Sequence, residues 1–469
     1  MPTMRLRSHA SLLICLLLAA AATAASAQPA PPNSGSNVRG VSILYAGSPN
    51  WTGSWFASQQ IPEPANALPA PYLHNATLRQ LIHLSLAGPT IRVRISNAFG
   101  TAPLALSAVH VARPIALDSS RIDPASDRAL SFDGLAQVTI PAGADYTSDP
   151  LAYPVAAQSD LAISICIDSA PNQQTGHPGS RSTSYAISGC APASAEFTTA
   201  ESAAPQSASS AAGADQTPPA PPSSSPHFDH WYYLTAVDVI APPSASAVVV
   251  LGDSITDGHG ATTNGNDRWT DDFARRLLQS APGHPVAVLN AGLGGNRILN
   301  DGLGPNALAR LDRDVLAPPG VRALIVHEGV NDLGTFSRSV DATLTEQAQL
   351  ALHAALVARL IGAYSQIVSR AHAHGIRVIG TTILPFTGNA GYHPGSLTEA
   401  DRQAINAWIR ESGPRAPGHF DAVVDFDRAL ADPANPTQLR PDYDSGDHLH
   451  PSVAGYHAMA DAVPLALLQ

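Results

Sequence analysis

The sequence predicts a β-sandwich-like domain over residues 28–244, followed by a doubly wound α/β domain over residues 245–469. Three observations carry that reading. Residues 41–190 hold many short β-branched or alternating runs and no convincing helix. Residues 245–469 alternate apolar, Val-rich runs with segments of helical spacing. Between them, 26 of the 36 residues from 191 to 226 are Ala, Ser or Pro, too little apolar surface to offset the entropy of ordering them. That stretch reads as disordered, either a loop within the first domain or a linker between the two.

In the first domain the runs Leu81–Ser85, Ile91–Ser96, Leu104–Val111, Gln137–Ile140 and Leu161–Ile167 are read as strands, punctuated by turns such as Asn97-Ala98-Phe99-Gly100. Trp231–Ile240 is one more strand beyond the Ala/Ser/Pro-rich stretch. Trp51 and Trp55, four apart, are expected in the core, with a sugar-stacking platform as the rival reading. In the second domain Ala247–Leu251, Val286–Leu289, Ala323–Val326, Arg377–Thr381 and Ala422–Phe426 read as strands. Helices are expected at Trp269–Leu278, near Ala307–Leu316, over Leu344–His374 with Gly375 as the stop, near Thr398–Glu411 and from Val453.

Composition narrows the function. The chain has 469 residues, 44% hydrophobic and 13% charged, with a formal charge of −11. All 26 basic residues are Arg, and none form runs, which argues against nucleic acid and anionic membranes as partners. Arg5 and Arg7, the apolar run Leu12–Ala22 and the small residues Ala25-Ser26-Ala27 read as a signal peptide over 1–27, cleaved after Ala27. A secreted or periplasmic protein is expected. No later segment reads as a bilayer span, so no stable membrane anchor is expected; the oligomeric state is open. One Cys leaves with the signal, and Cys166 and Cys190 are expected to pair in an oxidising compartment.

Four segments at strand ends or near the C-terminus carry the chemistry. In Gly252-Asp253-Ser254-Ile255-Thr256-Asp257-Gly258, flanking glycines leave Ser254 unshielded, and its hydroxyl needs a base to become a nucleophile. The glycines of Asn290-Ala291-Gly292-Leu293-Gly294-Gly295-Asn296 leave backbone N–H groups accessible for an oxyanion. Asn331, in Gly329-Val330-Asn331-Asp332, has an amide that can donate to the same charge. In Asp447-His448-Leu449-His450-Pro451, a carboxylate three residues before a His can fix its tautomer. A metal site on Asp447, His448 and His450 is the rival, weakened by the lack of a second ligand cluster. His327 and Glu328 are read as strand-end hydrogen-bonding residues, with pocket lining as the rival reading.

Serine, glycine, asparagine and histidine in this order resemble the SGNH (GDSL-type) hydrolase family over about residues 245–469. The resemblance implies a three-layer α/β/α fold with a parallel sheet and no cofactor or metal. It implies Ser254 as nucleophile, His450 as general base and Asp447 as the residue that orients it. The N–H groups of Ser254 and Gly295, rather than Gly294, and the Asn331 side chain would form the oxyanion hole. The first half looks like the β domain of certain secreted members. The expected activity is a secreted serine esterase acting on short acyl esters, acetyl first, on carbohydrate. A lipid acylhydrolase on the same residues and a non-catalytic carbohydrate-binding protein are the alternatives.

Overall fold

In the computed structural model, residues 49–197, 227–280, 283–340, 342–413 and 418–468 are described. The expected signal peptide and residues 198–226 of the Ala/Ser/Pro-rich stretch lie outside them. In the β region, two antiparallel sheets face each other. One runs in the order Trp51–Phe56, Leu234–Ile240, Gly88–Ser96 and Asp145–Thr147. The other runs through His227–Phe228, Ser184–Ser188, His74–Leu84, Ser159–Ser169, Leu104–Ala112 and Arg128–Ala129. Alternation sorts the side chains of each strand between two faces. On His74–Leu84, Leu78 and Ile82 enter the main core with Val93, Ile95 and Val237. Leu81 turns the other way, into a small cluster with Ile122, Tyr185 and Phe197.

The strand Leu234–Ile240 sits between Trp51–Phe56 and Gly88–Ser96, in the middle of its sheet. The chain therefore returns to the β region after residue 226, and the Ala/Ser/Pro-rich stretch connects parts of that region. Its first seven residues depart from the expected disorder. Phe197 is 3% exposed, and the Arg79 guanidinium lies 4.1 Å from its ring centroid. Arg79 also donates to the carbonyls of Ser120, Pro192 and Ser194, so one buried cation fastens this piece of chain. Cys166 and Cys190 are disulfide-bonded, as the sequence reading expected of this pair. Trp55 is a core residue, edge-on to Trp231 at 4.9 Å.

The α/β region carries a five-stranded parallel sheet in the order Val286–Gly292, Ser246–Gly252, Val321–His327, Arg377–Thr381, Ala422–Val424. In chain order this is 2-1-3-4-5, whose topological switch point lies between the first and third strands. Helices Trp269–Ser280 and Val453–Ala462 pack together on one side, and Glu346–Ala373 with Ser396–Arg410 on the other. Glu346–Ala373 is, by length and composition alone, apolar enough to cross a membrane, contrary to the expectation that no such segment follows the signal. Here Leu356, Leu360, Ile367, Val368 and Ala371 bury one face of it in the core, and Arg359 and Arg370 lie along the same helix.

The two regions share one apolar core. Gly53 of the β region lies against Leu289, where an added Cβ would come 2.8 Å from Leu289 Cδ1. Ser85 Oγ accepts a bond from the Val288 N–H at 3.2 Å, and the Gly53 N–H donates to Pro319 at 3.1 Å.

Candidate active site

Ser254 opens a four-residue helical turn, Ser254–Asp257, directly beyond the first parallel strand. Asp253 caps it by accepting from the Ile255 N–H at 2.9 Å, and Gly258 closes it at φ +94°. The turn packs so tightly that a Cβ on Gly252 would lie 2.2 Å from Thr256 Oγ1, and one on Gly292 would lie 2.4 Å from the Asp257 nitrogen. These glycines are needed for close approach, and they bring the serine to the switch point of the sheet.

Three of the expected residues form one hydrogen-bonded chain. Ser254 Oγ lies 2.8 Å from His450 Nε2, and His450 Nδ1 lies 2.6 Å from Asp447 Oδ2. The other Asp447 oxygen accepts from the backbone N–H groups of Leu449 and His450, at 2.9 and 2.8 Å. Partial burial works to raise the Asp447 carboxyl, but its bonds to His450 and Leu449 outweigh that and hold it well below the usual range. An ionised Asp447 keeps the proton on His450 Nδ1, leaving Nε2 to accept from the serine. His448, the third member of the rival metal set, turns away to Asp444 at 2.7 Å. His259 takes its place beside Asp447 and His450. Its ring lies against that of His450 with centroids 4.0 Å apart and planes 38° apart.

The oxyanion candidates are joined by a separate network. Asn331 Nδ2 donates to the Asn296 carbonyl at 2.8 Å, and Asn331 Oδ1 accepts from the Tyr392 hydroxyl at 2.6 Å. With its oxygen occupied, the amide has one N–H left to donate. Gly295, next to Asn296, takes φ +67°, a conformation open to glycine. Among the described residues, the N–H groups of Ser254 and Gly295 have no acceptor.

Three supporting residues escaped the sequence reading. Asp332 accepts from the N–H groups of Ile298 and Leu299 at 2.8 and 3.1 Å, clamping the loop after Gly295; burial raises its carboxyl to about 6. Arg310, fully buried, donates to Gly252, Ala291, Asn296 and Glu328 and so ties three strand ends together. It also reaches Ser58 of the β region at 3.0 Å. Tyr392 seats its ring where a Cβ on Gly334 would come within 2.3 Å. Asp332 closes the Gly329-Val330-Asn331-Asp332 motif but was given no role there, and no motif marks Arg310 or Tyr392; the partners of all three are distant in sequence. Burial pushes both Glu328 and Asp253 above the ordinary carboxylate range; repulsion from Asp253 and Asp332 adds to the effect on Glu328, and repulsion from Asp332 and Asp257 to that on Asp253. His327 fills the strand-end role expected of it: its Nδ1 bonds Thr381 Oγ1 at 2.7 Å, and burial lowers its pKa to about 3.

Residues 250–458 match the model of the GDSL-like Lipase/Acylhydrolase family. No curated protein matches the chain. Among solved structures, the chain is similar to a GDSL-like lipase from Bacteroides thetaiotaomicron at 17% identity and a TM-score of 0.31, covering 47% of this chain and 87% of the other. It is similar to the acetyl xylan esterase AlAXEase at 16% identity and a TM-score of 0.32, covering 46% and 96%. A variant of an acetyl xylan esterase from Geobacillus stearothermophilus matches at 19% identity and a TM-score of 0.31, covering 46% and 92%.

Proposed function

We propose that this chain, a carboxylic ester hydrolase whose residues 250–458 form a GDSL-like lipase/acylhydrolase domain, is a secreted serine esterase that removes short acyl groups, acetyl first, from carbohydrate. The observation that carries the mechanism is the Ser254–His450–Asp447 chain. His450 Nε2 takes the Ser254 proton as Oγ attacks the ester carbonyl. The N–H groups of Ser254 and Gly295 and the free Asn331 N–H stabilise the developing oxyanion. His450 then protonates the departing alcohol, and a water activated by the same nitrogen releases the acid from the acyl-enzyme.

The surroundings favour a short acyl group. Of the exposed large apolar side chains, Leu303 lies against Gly295, while His259 and Tyr392 line the same site with polar groups. A lipid-length chain needs a continuous apolar rim. The Cys166–Cys190 bridge supports an oxidising compartment and hence extracellular esters. Leu303 is also the observation that favours the second reading, a lipid acylhydrolase. The two separate on a 4-nitrophenyl ester series. Carbohydrate esterase activity is expected to show kcat/KM falling steeply beyond butyrate, with acetate released from an acetylated glycan. Faster turnover of octanoate than acetate, with no acetate released from glycan, establishes the lipid reading instead. A non-catalytic carbohydrate-binding protein would turn over neither, and it has no use for an assembled Ser254–His450–Asp447 chain.

A further inference from the structure

One segment of the β region reaches the active site. His177 Nε2 bonds Asp257 Oδ1 at 2.8 Å, three residues beyond Ser254. Ser180 O accepts from Arg268, and the Asn264 side chain bonds both the N–H and the hydroxyl of Thr183, each at 2.9 Å. Between these anchors the Arg181 carbonyl accepts from the Asn264 N–H at 2.9 Å. Arg181 takes φ +47°, uncommon for a residue with a Cβ, and such a conformation persists only where the surroundings dictate it.

The side chain of Arg181 ends beside the base. Its Nη2 lies 3.3 Å from His259 Nδ1, and the His259 ring lies against His450. A guanidinium can only donate, so His259 Nδ1 accepts and its ring proton sits on Nε2. Burial, together with the charge His450 gains when it takes a proton and the standing charge of Arg181, lowers the His259 pKa to about 4 and keeps the ring neutral. Arg181 Nε is buried without an acceptor, and among the described residues Arg181 makes no ion pair. The pair offers a ligand donors, with Arg181 in no ion pair among the described residues, while the Asp447 and Asp257 carboxylates also act on His259.

His450 must protonate the leaving oxygen, so the alcohol half of the ester departs along the face that His259 and Arg181 border. Resting on the esterase reading above, we propose that Arg181 and His259 recognise a carboxylate on the alcohol half, making the substrate an acylated acidic sugar. A carboxylate accepts from a guanidinium and a ring N–H together, and a charge-assisted bond of this kind outweighs the neutral one a hydroxymethyl group makes.

The test uses the full chain and two substrates, O-acetylated methyl glucuronoside and O-acetylated methyl glucoside, which differ in a carboxylate. The ratio of their kcat/KM values is expected to favour the uronide by about tenfold or more and to shrink as salt rises. Arg181→Gln is expected to bring the ratio close to one, and Arg181→Lys to retain part of it. A merely structural role would lower both substrates alike and leave the ratio where it was. A ratio near one in the wild-type protein, or a ratio unmoved by Arg181→Gln, overturns the proposal. A preference for an acetylated phosphoglyceride over both sugars, lost in Arg181→Gln, overturns the sugar assignment. Turnover of neither sugar nor 4-nitrophenyl acetate overturns the esterase reading itself, and this proposal with it.

Discussion

The two regions of the molecule meet at the same cleft by different routes. The α/β region brings its chemistry there through strand ends: Ser254 follows the first strand, Gly295 the second and Asn331 the third. Each follows a glycine-bearing stretch, because only residues without a Cβ let these backbones approach so closely. The β region contributes no such strand end. It reaches over with a loop, His177 to Thr183, fastened by side-chain hydrogen bonds to Asp257, Asn264 and Arg268. Catalytic groups are built on the strand ends of the parallel sheet, and a loop from the other region borders them. If Arg181 selects substrate as proposed, substitutions in this loop are expected to change selectivity while those at the strand ends change the chemistry.

That division is sharpened first by substitutions in the α/β region, where the effects are largest. Asp447→Asn is expected to lower kcat by about four orders of magnitude, since His450 then loses the tautomer its role needs. A loss below tenfold would mean that the carboxylate is dispensable. Asn331→Ala is expected to cost about 2.7–4 kcal/mol in the barrier, and Tyr392→Phe about tenfold in kcat, because the amide loses the bond that orients it. Equal losses in the two variants would place the effect in the fold rather than in the oxyanion site.

In the β sheets, away from the His177–Thr183 loop, the expected effect falls on stability. Reducing Cys166–Cys190 frees a loop of 24 residues' separation and is expected to cost about 3 kcal/mol, read as a lower Tm under reductant. An unchanged Tm would show that the sheets hold the segment without the bridge.

The smallest effect concerns pH. Glu328 is buried with its pKa raised. Between its unfolded value near ~4.3 and its folded value, the native state holds a proton the unfolded chain has released, so stability falls as pH rises through that window. Glu328→Gln removes this dependence. The Tm of the variant relative to wild type is expected to climb as pH rises above about 4.3. A constant gap would place the ionisation elsewhere.

How much of this was legible in the sequence follows the same division. Fully buried parallel strands read as continuous apolar runs, and Arg377–Thr381 matches its expected bounds residue for residue. The strand His74–Leu84 was visible only at its Leu81 end, because Asn75, Arg79 and Gln80 interrupt the pattern. Arg79 and Gln80 are nevertheless fully buried, and their bonds to backbone groups explain why the sheet tolerates them. Ser184–Ser188 and Trp51–Phe56 were missed for a related reason: neither shows a regular alternation. At the site, Ser254, Asn331, Asp447 and His450 stand in short motifs with local chemical sense. Arg310, Tyr392 and His177 act through partners far along the chain, and nothing local to them announces it; Asp332 stands in a motif, but its clamp on Ile298 and Leu299 is equally distant in sequence.

The central claim is that Ser254, activated by His450, carries the acyl group. Brief incubation with a 4-nitrophenyl phosphonate, followed by peptide mapping, tests it most directly. The expected result is one stoichiometric adduct on the peptide bearing Ser254, with loss of esterase activity in step, and much slower labelling in His450→Ala. An adduct on another residue, or full inactivation with Ser254 unmodified, would contradict it.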